Sequence, residues 1–297
     1  MKENIARRIP LLALSTCTLT FWCAHSGKSQ NVIEEAIKEL NSTNVQGYVQ
    51  PFVNSMGANF NSGLYHSAAI TELGFHVQFQ IVAMGTLIGD AEKTYETLSP
   101  YDSTPVTTAT LFGDQGAIVN GPGGATYQFP FGQVRTNIVP FTVPQLTIGN
   151  VLGTQVIVRY IPLPEIQEFP KTTHFGIGIR HSINQYLPST PVDIAAGVFY
   201  QKLTIGEIME ANAFNIGTQV SKSFSLATLY GGLQYETSSL SLNYTSKTNS
   251  QVHLDVDGEN KFRATAGVGL NLVILDLNAD INVSKVTVVS AGLSFGF

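Results

Sequence analysis

Near its far end the chain alternates. Thr287, Val289, Ala291, Leu293, Phe295 and Phe297 fall on one side of an extended segment, and Val288, Ser290, Gly292, Ser294 and Gly296 fall on the other, because successive side chains of a strand point to opposite faces. The same rhythm recurs with a polar second face. Leu73, Phe75, Val77, Phe79, Ile81 and Ala83 alternate with Glu72, Gly74, His76, Gln78 and Gln80, and Phe262, Ala264, Ala266, Val268, Leu270 and Leu272 alternate with Arg263, Thr265, Gly267, Gly269 and Asn271. Shorter cases set Phe175, Ile177 and Ile179 against Gly176, Gly178 and Arg180, Leu229, Leu233 and Tyr235 against Tyr230, Gln234 and Glu236, and Leu277, Ala279, Ile281 and Val283 against Asn278, Asp280 and Asn282. A helical repeat cannot generate this.

A soluble sandwich also alternates, with its apolar face buried and its polar face in water. Two features of the strands point to a membrane instead. The segments run to about 10–13 residues, the length a tilted strand needs to cross a bilayer, and their second faces carry Gly, Ser, Asn and Gln rather than Lys and Glu. Backbone amides and carbonyls find no partner in hydrocarbon, so strands span a membrane only as a barrel without free edges. The expected class is therefore all-β: a closed antiparallel transmembrane barrel over residues 67–297, with about twelve strands in a range of ten to fourteen, an even number returning both termini to the periplasmic side.

Ahead of the barrel the period changes. Ile33, Ile37 and Leu40 recur at helical spacing among Glu34, Glu35, Lys38 and Glu39, with Asn31 placed to cap the start, and Tyr48, Phe52, Val53 and Met56 form a second apolar cluster. Residues 27–66 are thus expected to be a short helical plug or hatch at the lumen mouth or the rim. Between residues 86 and 170 the alternation weakens, and Gly121-Pro122-Gly123-Gly124, Pro130, Pro140 and Pro144 predict turns, bulges or chain folded into the lumen, since proline cannot donate to a ladder. Segments 106–119, 125–131 and 138–148 are candidate additional strands. Turns are expected at Pro188 to Pro191, Thr237-Ser238 and Asp257-Gly258.

Composition narrows the classes of function. Only 12% of the 297 residues are charged, about half the share of a soluble domain. A net charge of −5, with no stripe of Lys and Arg, excludes a nucleic-acid partner. Lys2, Arg7 and Arg8 precede an apolar stretch from Ile9 to Cys23, followed by Ala24-His25-Ser26, so residues 1–26 read as a signal peptide cleaved after Ser26. Its removal takes both cysteines, Cys17 and Cys23, and with them any disulfide, thiolate metal site or thiol nucleophile.

Several motifs resemble chemistry without supplying it. Gly292-Leu293-Ser294-Phe295-Gly296 matches the G-x-S-x-G nucleophile elbow, but that mechanism needs a strand-to-helix turn, whereas Ser294 sits inside an alternating strand. His76, His174, His181 and His253 lack metal-ligand spacing. His181, in the stretch with Gln185 and Asp193, is placed to order a loop or to meet a ligand. Asp255-Val256-Asp257-Gly258 has its glycine in the wrong place for a calcium loop and is better read as a hairpin turn. No enzyme, metal or cofactor is expected. The lumen-facing candidates for ligand binding are His76, Gln78, Gln80, Arg159, Arg180, Arg263 and Asn271; the three arginines are expected to pair with carboxylates such as Glu72, Glu236 or Asp280.

The stretches YVQPFVNSMGANFNSGLYHSA, VPQLTIG, GTQVIVRYIP, FGIGIRHSINQYLPSTPVDIAAGVFYQ and SKSFSLATLYGGLQYE resemble a family of uncharacterised outer-membrane proteins from Bacteroidetes-type bacteria, itself similar to the FadL-type transporters of hydrophobic compounds. The resemblance covers most of the chain beyond residue 26. It implies a hatch on the segment holding Pro51, Gly57, Asn61, Ser62 and Gly63, and passive passage or binding of a small hydrophobic ligand in the outer membrane of a Gram-negative bacterium. FadL-type barrels have more strands than this chain provides. The terminal Phe297 resembles the aromatic last residue that outer-membrane assembly machinery reads, which makes that machinery and outer-membrane lipid the expected partners. The alternative is a barrel that transports nothing and serves as a structural or docking element in envelope assembly or secretion.

Overall fold

The computed structural model describes residues 42–165, 170–187, 189–245, 251–272 and 274–296. The proposed signal peptide, the helical pattern over 31–41 and Phe297 lie outside them. Ten long antiparallel strands close into a barrel: β1 (His76–Leu87), β6 (Ile138–Val151), β7 (Thr154–Leu163), β8 (Thr172–Ser182), β9 (Asp193–Ile205), β10 (Met209–Phe224), β11 (Ala227–Thr245), β13 (Phe262–Asn271), β14 (Leu275–Val283) and β15 (Thr287–Gly296). Each pairs with the next, and β1 completes the circle by lying between β6 and β15, with Phe79 opposite Phe295 on one side and Leu146 on the other. No wall strand is left with a free edge along the circle, as a lipid environment demands.

The two faces fall where the alternation puts them. Phe79, Ile177, Leu233, Val268, Ile281 and Leu293 are exposed on the outside, whereas Gln80, Arg159, Gln234, Arg263, Asp280 and Ser294 are buried within. On the β13–β15 side no strand exceeds ten residues.

The wall has ten strands, not twelve. The candidates at 106–119 and 125–131 contribute instead to an excursion between β1 and β6, where β2 (Thr94–Leu98) pairs with β3 (Pro105–Ala109) and β4 (Ile118–Asn120) pairs with β5 (Thr126–Gln128). The turn expected at Thr237-Ser238 is the middle of β11, where both residues are paired with β10 and held extended, Thr237 opposite Phe214 and Ser238 opposite Ala213. The eleventh strand of the sheet, β12 (Gln251–Asp257), pairs with the far half of β11. It continues the line of β13 after a jog at residues 258–261.

Strand direction defines two ends. We call the end where β1 leaves and β6 returns the upper mouth, and the end where β1 begins and β15 finishes the lower rim. The helix α1 (Ser42–Phe60) starts at the upper mouth, where Tyr95 donates to the Asn44 carbonyl and Thr97 to its side chain. The chain then runs down inside the barrel in an extended path from 61 to 70 and emerges at the lower rim to begin β1. Ser42 and Gly296 therefore lie at opposite ends of the barrel, and the plug occupies the length of the lumen rather than one mouth of it. The alternation read from Glu72 onward becomes a strand only at His76, because residues 61–70 run inside the lumen and 71–75 are exposed at the lower rim.

The upper lumen is filled by apolar contact. Tyr48, Val49, Val53, Met56 and Phe60 of α1 pack with Leu111 and Phe129 of the excursion and with Leu203, Ala211, Leu240 and Val256 of the wall. Two glycines let this helix sit close. A Cβ on Gly47 would lie 2.3 Å from the Tyr95 ring, and one on Gly57 would lie 2.1 Å from the Ser238 hydroxyl oxygen.

Candidate functional site

A helix that ends inside a barrel leaves carbonyls without amide partners. The α1 helix ends at Phe60, and there the wall supplies guanidinium groups. Arg159 of β7, 1% exposed, spends all five N–H donors. It donates to the carbonyls of Phe60 (3.1 Å), Ser62 (3.0 Å) and Gly63 (2.7 Å), and to the side-chain oxygens of Gln145 (2.9 Å) and Gln201 (3.3 Å). The Gln201 amide donates to Phe60 as well. Gly63 sits at φ +61° and turns the chain away from the helix here.

Arg263 of β13 holds the other side. Its Nε and Nη2 donate in a fork to Glu236 at 2.9 and 3.0 Å, Nη1 donates to the Ser62 hydroxyl at 2.8 Å, and Nη2 also reaches the Ala58 carbonyl at 3.2 Å. Both side chains of this ion pair are fully buried. Just above, the jog grips the helix: Asn260 donates to the Asn54 carbonyl at 2.8 Å and Asn54 donates to the Glu259 carboxylate at 3.0 Å. Lower down, Arg180 donates to the Ser67 carbonyl and lies 5.8 Å from the centre of the Tyr65 ring, while Gln234 donates to the Tyr65 hydroxyl at 2.8 Å.

Of the three arginines expected to pair with carboxylates, only Arg263 does so. Glu72 is exposed at the lower rim. Arg159 and Arg180 are bound to backbone carbonyls of the plug, because that chain is neither helix nor sheet at their level and presents oxygens that nothing else satisfies.

A chain of hydrogen bonds crosses the rest of the lumen, every donor pointing the same way. Arg159 donates to Gln145, Gln145 to Gln80 at 3.1 Å, Gln80 to Asn278 at 2.8 Å, Asn278 to the Tyr230 hydroxyl at 3.3 Å, and Tyr230 to the Asp280 carboxylate at 2.8 Å. It starts on a buried cation and ends on a buried anion, so each dipole is aligned with the field between them and each bond polarises the next.

The other candidates fall as follows. Gln78 donates to Asp276 at 2.8 Å. His76 is half-buried at the start of β1, and Asn271 is exposed at the end of β13, both near the lower rim and away from the arginine clamps. His181 accompanies Thr154, Gln185 and Tyr186 in ordering the loop after β8. Ser294 is fully buried in the unbroken strand β15. The plug contacts themselves carried no signal in the sequence, since a backbone carbonyl has no residue type. At the mouth, burial pushes the Tyr48 phenol above its usual range, with Tyr95 adding to it, so Tyr48 stays a donor, here to the Phe131 carbonyl at 3.0 Å.

A recess lies on the outside of the wall. It is a broad notch of about 560 Å³ where β11, β13 and β14 meet, lined by Leu233, Tyr235, Phe262, Ala264 and Val283 with Gln234 and Arg263 behind them. The rings of Tyr235 and Phe262 meet edge to face, 5.5 Å apart.

The chain belongs to DUF6588. This is a family of unknown function, and its model matches residues 2–297. No curated protein matches. Among solved structures, the chain is similar to Ail, the attachment invasion locus protein of Yersinia pestis (11% identity, 76% of this chain and 100% of that one, TM-score 0.29). It is also similar to an OmpT loop-deletion mutant, an outer-membrane protein of Vibrio cholerae (9%, 75% and 98%, 0.29), and to the toluene transporter TbuX of Ralstonia pickettii (10%, 78% and 92%, 0.28). The barrel stands on its own strand pairing, to which these likenesses add nothing.

Proposed function

We propose that the chain is an outer-membrane barrel of a Gram-negative bacterium that binds small hydrophobic compounds at its wall, with their passage controlled by the lumen plug, in the manner the resemblance to FadL-type transporters implies. The outward rows of Ile, Leu, Val and Phe support the membrane location, since a closed barrel has no second layer to cover them. The observation that carries the binding site is the notch between β11, β13 and β14. It offers aromatic and aliphatic walls toward lipid, and Arg263 at its back is the residue that clamps α1, so a compound seated there lies one side chain from the plug.

The test is uptake. Vesicles with a lipopolysaccharide outer leaflet, which retards apolar probes, should take up the fluorophore N-phenyl-1-naphthylamine faster when they carry the protein than when empty, and Phe262→Ser together with Leu233→Ser should remove most of the difference. Equal uptake by loaded and empty vesicles would sink the proposal. A second reading, a docking barrel without transport, is favoured by the filled lumen; it requires a stoichiometric partner that co-purifies in detergent.

A further inference from the structure

The two ends of the wall differ in chemistry. Every upper connection carries charge: Lys171 and Glu165 between β7 and β8, Glu207 between β9 and β10, Glu259 and Lys261 in the jog, and Lys285 between β14 and β15. The lower connections, residues 152–153, 183–192, 225–226 and 272–274, hold no charged residue. They hold large apolar side chains instead. Leu152 is 72% exposed, Tyr186 70%, Leu226 57% and Ile274 71%, and Leu73, beside the start of β1, is 84% exposed. Of the charges nearest this end, Lys222 donates to the Pro191 carbonyl and Asp276 accepts from Gln78, while Glu72 is exposed and Asp193 half-buried.

Two further observations say what covers this rim. Leu152 and Gly153 form a two-residue hairpin loop with φ of +52° and +67°, the type I′ geometry that favours Asn or Gly at its first position. A leucine there is unfavourable both for the backbone and, in water, for the side chain. The second observation is height. The nine residues of β14, at about 3.3 Å each and a tilt near 40°, rise about 23 Å, no more than the apolar band of a membrane barrel. The wall on that side has no spare length below the band, so its lower turns fall within the leaflet.

We infer that the uncharged turns of the lower rim are inserted into the acyl region of one lipid leaflet, continuing the apolar surface of the wall, while the upper connections stand in water. This rests on the membrane reading of the barrel. The only tryptophan is Trp22, so Trp22→Phe gives a background in which one introduced tryptophan reports its own depth. Leu152→Trp, Leu226→Trp and Ile274→Trp probe the rim, Leu293→Trp the wall and Lys285→Trp the upper end, each in vesicles of phosphatidylcholine with or without brominated acyl chains. Folding of each variant is checked by the heat-dependent gel shift of the barrel. The expected result is that bromine quenches the rim probes as strongly as the wall probe and leaves Lys285→Trp unquenched. Rim probes that behave like Lys285→Trp beside a quenched wall probe would overturn the inference and leave the barrel in its membrane, with the rim then a surface for another protein. An unquenched wall probe would overturn the membrane reading itself.

Discussion

The upper and lower halves of the plug are held by opposite means. From Ser42 to Phe60 the chain is helical and satisfies most of its own backbone, so what it needs from the barrel is apolar surface, which Leu203, Ala211, Leu240 and Val256 provide. From residue 61 the helix stops, the carbonyls are orphaned, and the wall answers with Arg159, Arg180 and Gln201. Arg263 stands at the boundary and serves both halves, with Ala58 on one side and Ser62 on the other. Cations thus occur in this lumen where the plug lacks secondary structure, and their position follows from where the helix ends.

The contrast breaks most severely at Arg263. Replacing it with Met leaves the fully buried Glu236 carboxylate without a partner, and loss of one member of a buried pair costs about 3–5 kcal/mol. Denaturant unfolding in lipid vesicles should show this loss, and Arg263→Met with Glu236→Leu should recover much of it. If the single variant is no less stable than the double, charge is not what holds the boundary.

Arg159 comes next. Gln at this position keeps at most two of the five donors, so at least two of the buried oxygens on Ser62, Gly63, Gln145 and Gln201 lose theirs, at about 2–3 kcal/mol in the same assay. Lys should rescue little of this, because an ammonium cannot reach acceptors spread over Phe60, Gly63, Gln145 and Gln201. Protease sensitivity of the 61–75 stretch should rise in the same order. Full rescue by Lys would mean that position 159 supplies only a charge.

How much of this was legible in the sequence follows the same division. Period two placed the faces of β1, β8, β13, β14 and β15, because a lipid-facing row must be apolar at every second residue whatever the tertiary context. Strand number was not legible. Segments such as 125–131 have strand-like residues, yet their pairing is local and sits over the mouth, and Thr237-Ser238 has turn-like residues inside a strand that β10 holds extended. Arg159, Arg180 and Arg263 are buried on the lumen side, but Arg159 and Arg180 bind backbone carbonyls of the plug, which no pattern of side chains announces. The plug helix was legible as the cluster Tyr48, Phe52, Val53 and Met56; that the chain then runs the length of the lumen was not, since an extended path without a ladder has no period.

A smaller change sharpens the upper half. Val53 is buried in the cluster between α1 and the wall, and Val53→Ala removes two methyl groups from a site that charge does not support. The expected cost is about 1–2 kcal/mol, independent of ionic strength. A salt-dependent loss would mean that electrostatics reaches further up the plug than the contacts suggest.

The smallest effect concerns the chain of bonds from Arg159 to Asp280. Tyr230→Phe removes one hydroxyl that accepts from Asn278 and donates to Asp280. The ring keeps its place against Tyr65, 6.2 Å between centres, so packing is preserved. Asp280 retains Ser290 and Asn282 as partners, which limits the direct loss to about 1 kcal/mol. If the bonds act singly, combining Tyr230→Phe with Gln80→Leu should cost the sum of the two changes. If the aligned dipoles reinforce one another, the second substitution should cost less once the first has cut the chain, because the bond it removes is already weakened. A double-variant cycle on unfolding free energy reads that difference directly: additivity would reduce the aligned chain to independent pairs, whereas a coupling above the error of the cycle would show that the bonds Gln80 and Tyr230 make through Asn278 reinforce one another.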